Sequence, residues 1–150
     1  MPQSLVYNYI HIVFSTKYRY PFIDREIEEE LFSYIGSICK NMGFSPLQVG
    51  GYRDHIHILC RMSKDVTLVK FLQQVKSKSS IWMKTKGMKY QHFYWQRGYG
   101  CFSVNPKDID VVIRYIERQA LHHAKRSFQE EYLIILNKYK IPYDLKYLWD

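Results

Sequence analysis

The chain has 150 residues, of which 47% are hydrophobic. This length and composition suffice for one domain with an apolar core and exclude a disordered chain. No apolar run approaches the roughly 20 residues of a membrane span. No basic segment followed by an apolar stretch begins the chain, so we expect a cytoplasmic location. A net charge of +8 and an aromatic content of 17% favour nucleic acid with exposed bases as a partner.

The first predicted elements are a strand over residues 5–15 and a helix over residues 24–42. Side chains alternate across a strand, so two sets face opposite ways: Ile10, Ile12 and Phe14 on one face, and Tyr9, His11 and Val13 on the other. Asp24 is a suitable N-cap for the helix, and Gly43 can end it.

Strands follow at about 44–51 and 54–62, with a tight connection near residues 50–53. A second helix is predicted at about 66–84, then an irregular basic and aromatic loop over 85–98 and a strand at about 99–104. The order β-α-β-β-α-β is the split βαβ arrangement of ferredoxin-like and RNA-recognition-like (RRM-like) folds. We therefore predict an α+β fold, with an antiparallel sheet, both helices on one face and the other face open.

The remaining residues predict a helical C-terminal extension. A helix is expected over about 106–125, and the capping box from Ser127 to Glu130 begins another that runs to about Tyr139. We predict a single domain over residues 1–150, with a core of about 5–104 and C-terminal helices of about 106–139.

Two histidines stand out in the third strand. His55 and His57 flank Ile56, so they emerge on the same face while the aliphatic residues of the strand point to the core. A single strand histidine is usually structural, but a pair on one face is spaced to hold one metal ion.

Helix 106–125 contains a second candidate group. Tyr115 and Gln119 are four residues apart and share a helix face. If this helix covers the open sheet face, His55, His57 and Gln119 could bind one divalent cation beside Tyr115. Mg²⁺ or Mn²⁺ would suit this ligand set, and zinc is possible on ligand grounds. The phenol would then attack a phosphorus atom and form a covalent phosphotyrosine. Of the tandem His122-His123, one is expected to pack and one to be exposed, although either could supply a ligand.

Seven short motifs extend the pattern over nearly the whole chain. They are His11 to Arg19 (HIVFSTKYR), His55-Ile56-His57, Trp95-Gln-x-Gly-Tyr-Gly100, Phe102-Ser-Val104, Tyr115-Ile-Glu-x-Gln119, His122-His123 and Phe128-Gln-Glu-Glu131. In these motifs the chain resembles the single-tyrosine HUH transposases, the TnpA-like type encoded by minimal bacterial insertion sequences.

The resemblance implies an activity and a partner. Similar transposases bind hairpins in single-stranded DNA and cut without a nucleotide cofactor. Their tyrosine forms a 5′-phosphotyrosine and leaves a free 3′-hydroxyl, which later rejoins strands in DNA transposition. By this resemblance Tyr115 is the nucleophile, and His55, His57 and Gln119 hold the metal. The protein would act as a homodimer and would associate with the bacterial nucleoid when bound to DNA.

Other hypotheses stay open at this point. A domesticated relative that processes repeated chromosomal palindromes would share the motifs. A non-catalytic RRM-like module would bind single strands through rings such as Tyr9. An exposed sheet edge and an uncovered sheet face give the homodimer a physical motive. The basic residues expected to contact DNA are Lys17, Arg19, Lys76, Lys78 and Arg97.

Overall fold

Four strands form one antiparallel sheet in a computed structural model of the protein, which describes residues 2–150. The elements are β1 (Tyr9–Ser15), α1 (Glu28–Asn41), β2 (Ser45–Tyr52), β3 (His55–Arg61), α2 (Leu68–Lys84), β4 (Gly100–Ser103), α3 (Ile109–Glu117), α4 (Gln119–His123), α5 (Phe128–Lys138) and α6 (Leu145–Leu148). The strand order is β2-β3-β1-β4. The predicted α+β fold with a β-α-β-β-α-β core is confirmed.

The first face of the sheet is closed by α1 and α2. The alternating aliphatic residues of β1 and β3 point into this layer, where Ile12 pairs with Ile58 and Phe14 with Ile56 in the antiparallel register. From the helices, Leu31 and Phe71 are fully buried against them. This layer is apolar because every second residue of each strand is aliphatic or aromatic, which is the pattern that burial requires.

The second face is covered by the C-terminal helices, so the expectation that it stays open is wrong. Val13 and Phe102 of the sheet are buried against an apolar stripe of α5, and Leu59 is buried against Ile116 of α3. The chain closes this face itself because its C-terminal helices are amphipathic and would otherwise expose their apolar stripes. A second copy is therefore not needed to cover it.

A glycine lets α3 approach the sheet closely. A Cβ atom at Gly50 of β2 would lie 2.7 Å from Cγ2 of Ile116 and 3.3 Å from its carbonyl oxygen. A larger residue would therefore push α3 away from the strand beside His57, which pairs with Gly50.

Several element boundaries differ from the predictions. β1 begins at Tyr9 because its pairing with β3 ends there, at Arg61, and residues 5–8 are exposed. The helix predicted over 106–125 is interrupted: a short turn covers Pro106–Asp108, and Arg118 leaves the helical region with φ −97° and ψ 20°. The interruption separates α3, which is held by its apolar side, from α4, which turns toward β3. Within residues 2–150 there is no helix whose length and apolar composition would let it cross a bilayer.

Candidate active site

The two histidines of β3 lie completely buried beneath the C-terminal helices. His55 and His57 each have no exposed surface, and they share the face opposite the aliphatic residues of the strand. Their ring centroids lie 5.1 Å apart. Buried imidazoles need polar partners for both ring nitrogens, so their surroundings determine what they can bind.

One nitrogen of each ring is fixed by a neighbouring side chain. Nδ1 of His55 lies 2.8 Å from Oδ1 of Asp54, and Nδ1 of His57 lies 2.8 Å from Nε2 of His11 on β1. Burial, and then His57, lowers the pKa of His11 to about 3, and burial lowers the pKa of His57 as well. His11 and His57 are therefore neutral, and His11 can accept the Nδ1 proton of His57. Contacts of this kind orient metal-binding histidines.

The facing Nε2 atoms meet a carboxylate that the sequence reasoning missed as a site residue. Oε1 of Glu131, on α5, lies 3.2 Å from Nε2 of His57 and 3.4 Å from Nε2 of His55. One ligand atom from each of these residues falls within 4.8 Å of the others. A signal was available in the sequence, because Glu131 interrupts the apolar stripe that Phe128, Tyr132 and Ile135 form at helical spacing. A charged residue in such a stripe has to find a partner.

The predicted tyrosine and glutamine reach the same carboxylate. The Tyr115 hydroxyl donates a hydrogen bond to Oε2 of Glu131. Gln119 donates from Nε2 to the same oxygen at 3.2 Å, while its Oε1 lies 2.8 Å from Nε2 of His55. The structure thus brings together all four residues of the predicted site and adds Glu131 between them.

The burial of the tandem histidines, His122 and His123, differs from the expectation. The side chain of His123 is nearly buried, donates from Nδ1 to the carbonyl of Arg126 at 2.7 Å and places Nε2 3.1 Å from Oε1 of Gln119. His122 is only partly exposed, and its Nε2 is buried. Neither imidazole is simply exposed, so the expectation that one of the two would be exposed is wrong. The break at Arg118 lets both rings turn inward.

The donor set fits a divalent cation. Metal-binding histidines offer one ring nitrogen to the ion while the other contacts a carboxylate or a carbonyl. Nδ1 of His55 contacts the Asp54 carboxylate, which leaves Nε2 facing two oxygens, Oε1 of Gln119 and Oε1 of Glu131. A ring nitrogen and two oxygens that converge in this way suit a cation placed between them. Nitrogen and oxygen donors around one point are a suitable shell for such an ion.

The charges of the site are set by the same carboxylate. Burial opposes ionisation of Glu131, but its contacts with His123 and His57 outweigh burial and hold the pKa of that carboxyl well below its ordinary value. Burial likewise opposes the charged form of His123, yet Glu131 raises the pKa of this imidazole. Burial and then Glu131 raise the pKa of Tyr115 well above the ordinary value for a phenol. The site therefore holds an ionised carboxylate next to a protonated phenol.

The five basic residues predicted to contact DNA occupy different environments. Lys17, Lys78 and Arg97 are exposed. Arg19 is partly buried and donates to the carbonyl of Trp149 at 2.9 Å. Nζ of Lys76 donates to the carbonyls of residues 96, 97 and 98 at 2.7 to 3.0 Å, and burial lowers its pKa to about 8. Lys76 thus anchors the loop before β4, and the DNA contacts stay predictions for all five.

Comparison with known proteins identifies relatives over most of this architecture. A family model described as "Transposase IS200 like" matches residues 4–119, a span that includes both histidines of β3, Tyr115 and Gln119. The transposases for insertion sequence element IS200 of Salmonella typhimurium and Salmonella typhi are each 28% identical over 114 residues. The aligned part covers 73% of this chain and 74% of each relative.

Two solved structures share the fold. A candidate transposase from Deinococcus radiodurans R1 superposes with a TM-score of 0.61 at 21% identity, over 79% of this chain and 96% of that one. A REP-associated tyrosine transposase bound to a REP hairpin superposes with a TM-score of 0.59 at 13% identity, over 82% of this chain and 74% of that one. Because the matching family model describes transposases, we set aside the hypothesis of a non-catalytic RRM-like module. The chain belongs to the IS200-like transposase family and is an enzyme that acts on DNA.

Proposed function

We propose that this protein cuts and rejoins single-stranded DNA at hairpin-marked ends, with Tyr115 as the nucleophile and a 5′-phosphotyrosine as the intermediate. One observation carries the proposal most directly. The carboxylate of Glu131 contacts the Tyr115 hydroxyl through one oxygen and faces the paired histidines through the other. A nucleophile and a cation site are thereby held at a single point.

The proposed cation ligands are His55, His57, Gln119 and Glu131. Mg²⁺ or Mn²⁺ fits this set, because both ions accept imidazole or carboxylate alongside water and phosphate oxygens. When bound, the ion supplies Lewis acidity toward the scissile phosphate and offsets the charge of the transition state. Asp54 and His11 keep the two Nε2 atoms aimed at the centre by holding the opposite ring nitrogens.

Tyr115 then reacts as follows. As the phenolic oxygen bonds to phosphorus, its proton passes to Oε2 of Glu131, the acceptor that the hydroxyl already contacts. The P–O3′ bond breaks, the 3′-oxygen leaves with the electron pair and takes up one proton from solvent, and Glu131 releases the proton that it accepted to solvent. The covalent link conserves the energy of the phosphodiester, so the 3′-hydroxyl of another strand end can reverse the reaction and rejoin DNA without a nucleotide cofactor.

The substrate strand has a candidate path across two connected loops. The turn after β1 and the loop before β4 are joined by a bridge between Thr16 and Trp95 and by a 2.8 Å hydrogen bond from the Lys17 amide to the Tyr94 carbonyl. Exposed rings and cations lie together on them: Lys17, Tyr18, Tyr20, Tyr94, Arg97 and Tyr99. Rings that stack on bases and cations that meet phosphates are the usual means of holding single strands.

The homodimer remains part of the proposal. One chain brings the nucleophile and both histidines together, so the motive left for pairing is the sheet edge at β2. A mixture of Tyr115→Phe and His57→Ala chains tests whether the partners of such a dimer exchange α3. A dimer whose partners exchange α3 would regain about a quarter to a half of the activity. Chains that complete each site with their own α3 would regain nothing, whether paired or not.

The proposed reaction is tested by incubating the protein with hairpin-bearing single-stranded DNA and Mg²⁺ or Mn²⁺. A covalent protein–DNA adduct that survives denaturing electrophoresis should form, vanish in Tyr115→Phe and weaken at least 100-fold in His57→Ala. Tyr143→Phe removes a hydroxyl from an exposed tyrosine and should leave the adduct unchanged. Tight binding by the wild type without an adduct on any hairpin would contradict the proposal.

Mobile and domesticated versions of this enzyme would share the site. They differ in where their hairpins occur, because a mobile element is flanked by its own substrate while a domesticated enzyme acts on palindromes dispersed in the chromosome. We propose the mobile version, since the curated relatives are transposases of an insertion sequence. Cleavage of hairpins from directly beside the gene supports it, and cleavage of dispersed palindromes alone would favour the domesticated version.

A further inference from the structure

A cavity of about 250 Å³ lies beside Tyr115, between α3 and α5. Its walls are largely apolar and include Val111 of α3 and Ile134 of α5. His11, Tyr115 and Glu131 also line the cavity, so it is continuous with the candidate active site. The nucleophile and the metal ligands need no space of this kind, and the reaction proposed above leaves it unused.

Polar groups interrupt the apolar wall. Nε2 of His122, which lines the cavity, is buried and has no hydrogen-bond partner among residues 2–150. His11 also lines the cavity, and its contact with His57 uses Nε2 and not Nδ1. The exposed side chains of Arg126 and Lys138 line it as well. Apolar walls with a small number of converging polar groups are typical of sites for small organic groups.

The chemistry of these groups limits the occupant. A further metal ion is disfavoured, because the exposed charges of Arg126 and Lys138 are positive and the one carboxylate of the wall, Glu131, already faces the proposed cation site. A planar heterocycle suits the interior, since it offers faces to the aliphatic walls and edge atoms to the two imidazoles. The ring of Tyr139 also lines the cavity, and its stacking on Phe102 at 4.8 Å holds it in place. The two cations suit an attached phosphate.

We propose that this cavity binds one unpaired nucleobase of the substrate strand, from a nucleotide that flanks the phosphate attacked by Tyr115. The inference rests on the proposed function, because that function places the strand at Tyr115. Holding the base beside the nucleophile fixes the scissile phosphate in position, and the imidazole nitrogens make the pocket selective among bases. Enzymes that act on nucleic acid commonly hold an unstacked base in this way, between apolar and aromatic side chains.

The test combines filled cavities with missing bases. Ile134→Trp and Val111→Trp fill the cavity from opposite walls at positions that are partly exposed, so both chains should fold. Asn137→Trp adds the same ring to an exposed position of α5 outside the cavity and is the matched control. Adduct formation is measured with a strand that the wild type cleaves. Matched strands carry an abasic analogue at one or the other flanking nucleotide.

In the wild type and in Asn137→Trp, an abasic analogue at one flanking position should slow adduct formation about 10-fold or more, as expected for loss of one stacked base. In the two filled variants the intact strand should already form the adduct slowly. The abasic analogue should then reduce the rate of adduct formation by less than about twofold more. The inference would be overturned if the abasic analogue slowed adduct formation equally in the filled variants and the wild type. It would also be overturned if the analogue had no effect at either position in the wild type. Absence of any adduct with the wild type would instead be a failure of the proposed function.

A second readout does not depend on cleavage. Tyr115→Phe should hold the intact strand, so a 2-aminopurine base can be placed at each flanking position and its fluorescence followed on binding. Burial between side chains should shift the emission at the position that the abasic series identifies, and Ile134→Trp in the same background should abolish the shift. A fluorescence shift that persists with the cavity filled would contradict binding of the base in this cavity.

Discussion

The two faces of the sheet in this protein do different work with the same strands. On the first face, β1 and β3 present aliphatic and aromatic side chains to α1 and α2, and the layer is an ordinary apolar core. On the second face the same strands present His11, His55 and His57 to α3, α4 and α5. The first face thus provides the larger apolar core, while the second combines smaller apolar clusters with polar contacts that position reactive groups.

The difference between the two faces also explains how the side chains of the site are held in position. His55 and His57 are rigid because the residues between and beside them are locked into the first face. The opposing residues of the site are less directly fixed, since they come from helices that pack on the second face through smaller apolar clusters. Substitutions on the first face should therefore destabilise the fold, and substitutions on the second face should mainly reduce activity.

The largest expected effect comes from the first face. Phe71 is fully buried and stacks on Phe44 at 3.8 Å. Phe71→Ala should lower the free energy of unfolding by about 3–5 kcal/mol through lost burial and a cavity. Urea denaturation measures this loss, and Val69→Ala at an exposed position of α2 is the control. The chains that remain folded should keep their Mn²⁺ affinity. A weakened affinity would mean that the two faces are not separable.

The next effect should fall on the second face alone. Glu131→Gln keeps the shape of the side chain but removes the charge that faces three histidines. Mn²⁺ affinity, measured by titration calorimetry, should fall about 100-fold or more, because removing a ligand exceeds the 10- to 100-fold cost of losing an outer contact. Glu117→Gln, at an exposed position, should have no effect. Unchanged affinity in Glu131→Gln would remove this residue from the proposed ligands.

A smaller effect should appear at the contact between α3 and β2. The added methyl of Gly50→Ala would meet Ile116, so α3 must shift outward, at a cost of about 1–3 kcal/mol in the free energy of unfolding. Because α3 holds Tyr115, adduct formation should fall by more than the stability loss explains. Gly98→Ala is the control, since a Cβ there meets no atom within 4 Å. Full activity in Gly50→Ala would show that the docking of α3 is not limiting.

The smallest effect should come from the cap of α5. Ser127 accepts a hydrogen bond from the Glu130 amide at 3.2 Å. Ser127→Ala should cost about 1 kcal/mol in thermal or urea unfolding, and Ser127→Asp, another good N-cap, should restore most of it. An equal loss in both variants would show that the cap does not stabilise this helix.

The sequence allowed the first face to be predicted well and the second only in part. Alternation along β1 and β3 identifies the aliphatic layer without knowledge of its partners, because the period of a strand is a local property. The pairing of Tyr115 with Gln119 is local in the same sense. Glu131 is not, since its partner His57 is 74 residues away; its place in an apolar stripe indicates that it needs a partner but not which one. The break at Arg118 has no comparable local signal.

The central claim is that Tyr115 becomes covalently linked to DNA, and mass spectrometry of the adduct tests it most directly. Trypsin cleaves after Arg114 and Arg118, so the peptide Tyr115-Ile-Glu-Arg118 contains one tyrosine among the 14 of the chain. After nuclease digestion of the adduct, we expect the residual nucleotide on this peptide. A nucleotide on any other tyrosine, or cleaved DNA without a modified peptide, would contradict the account.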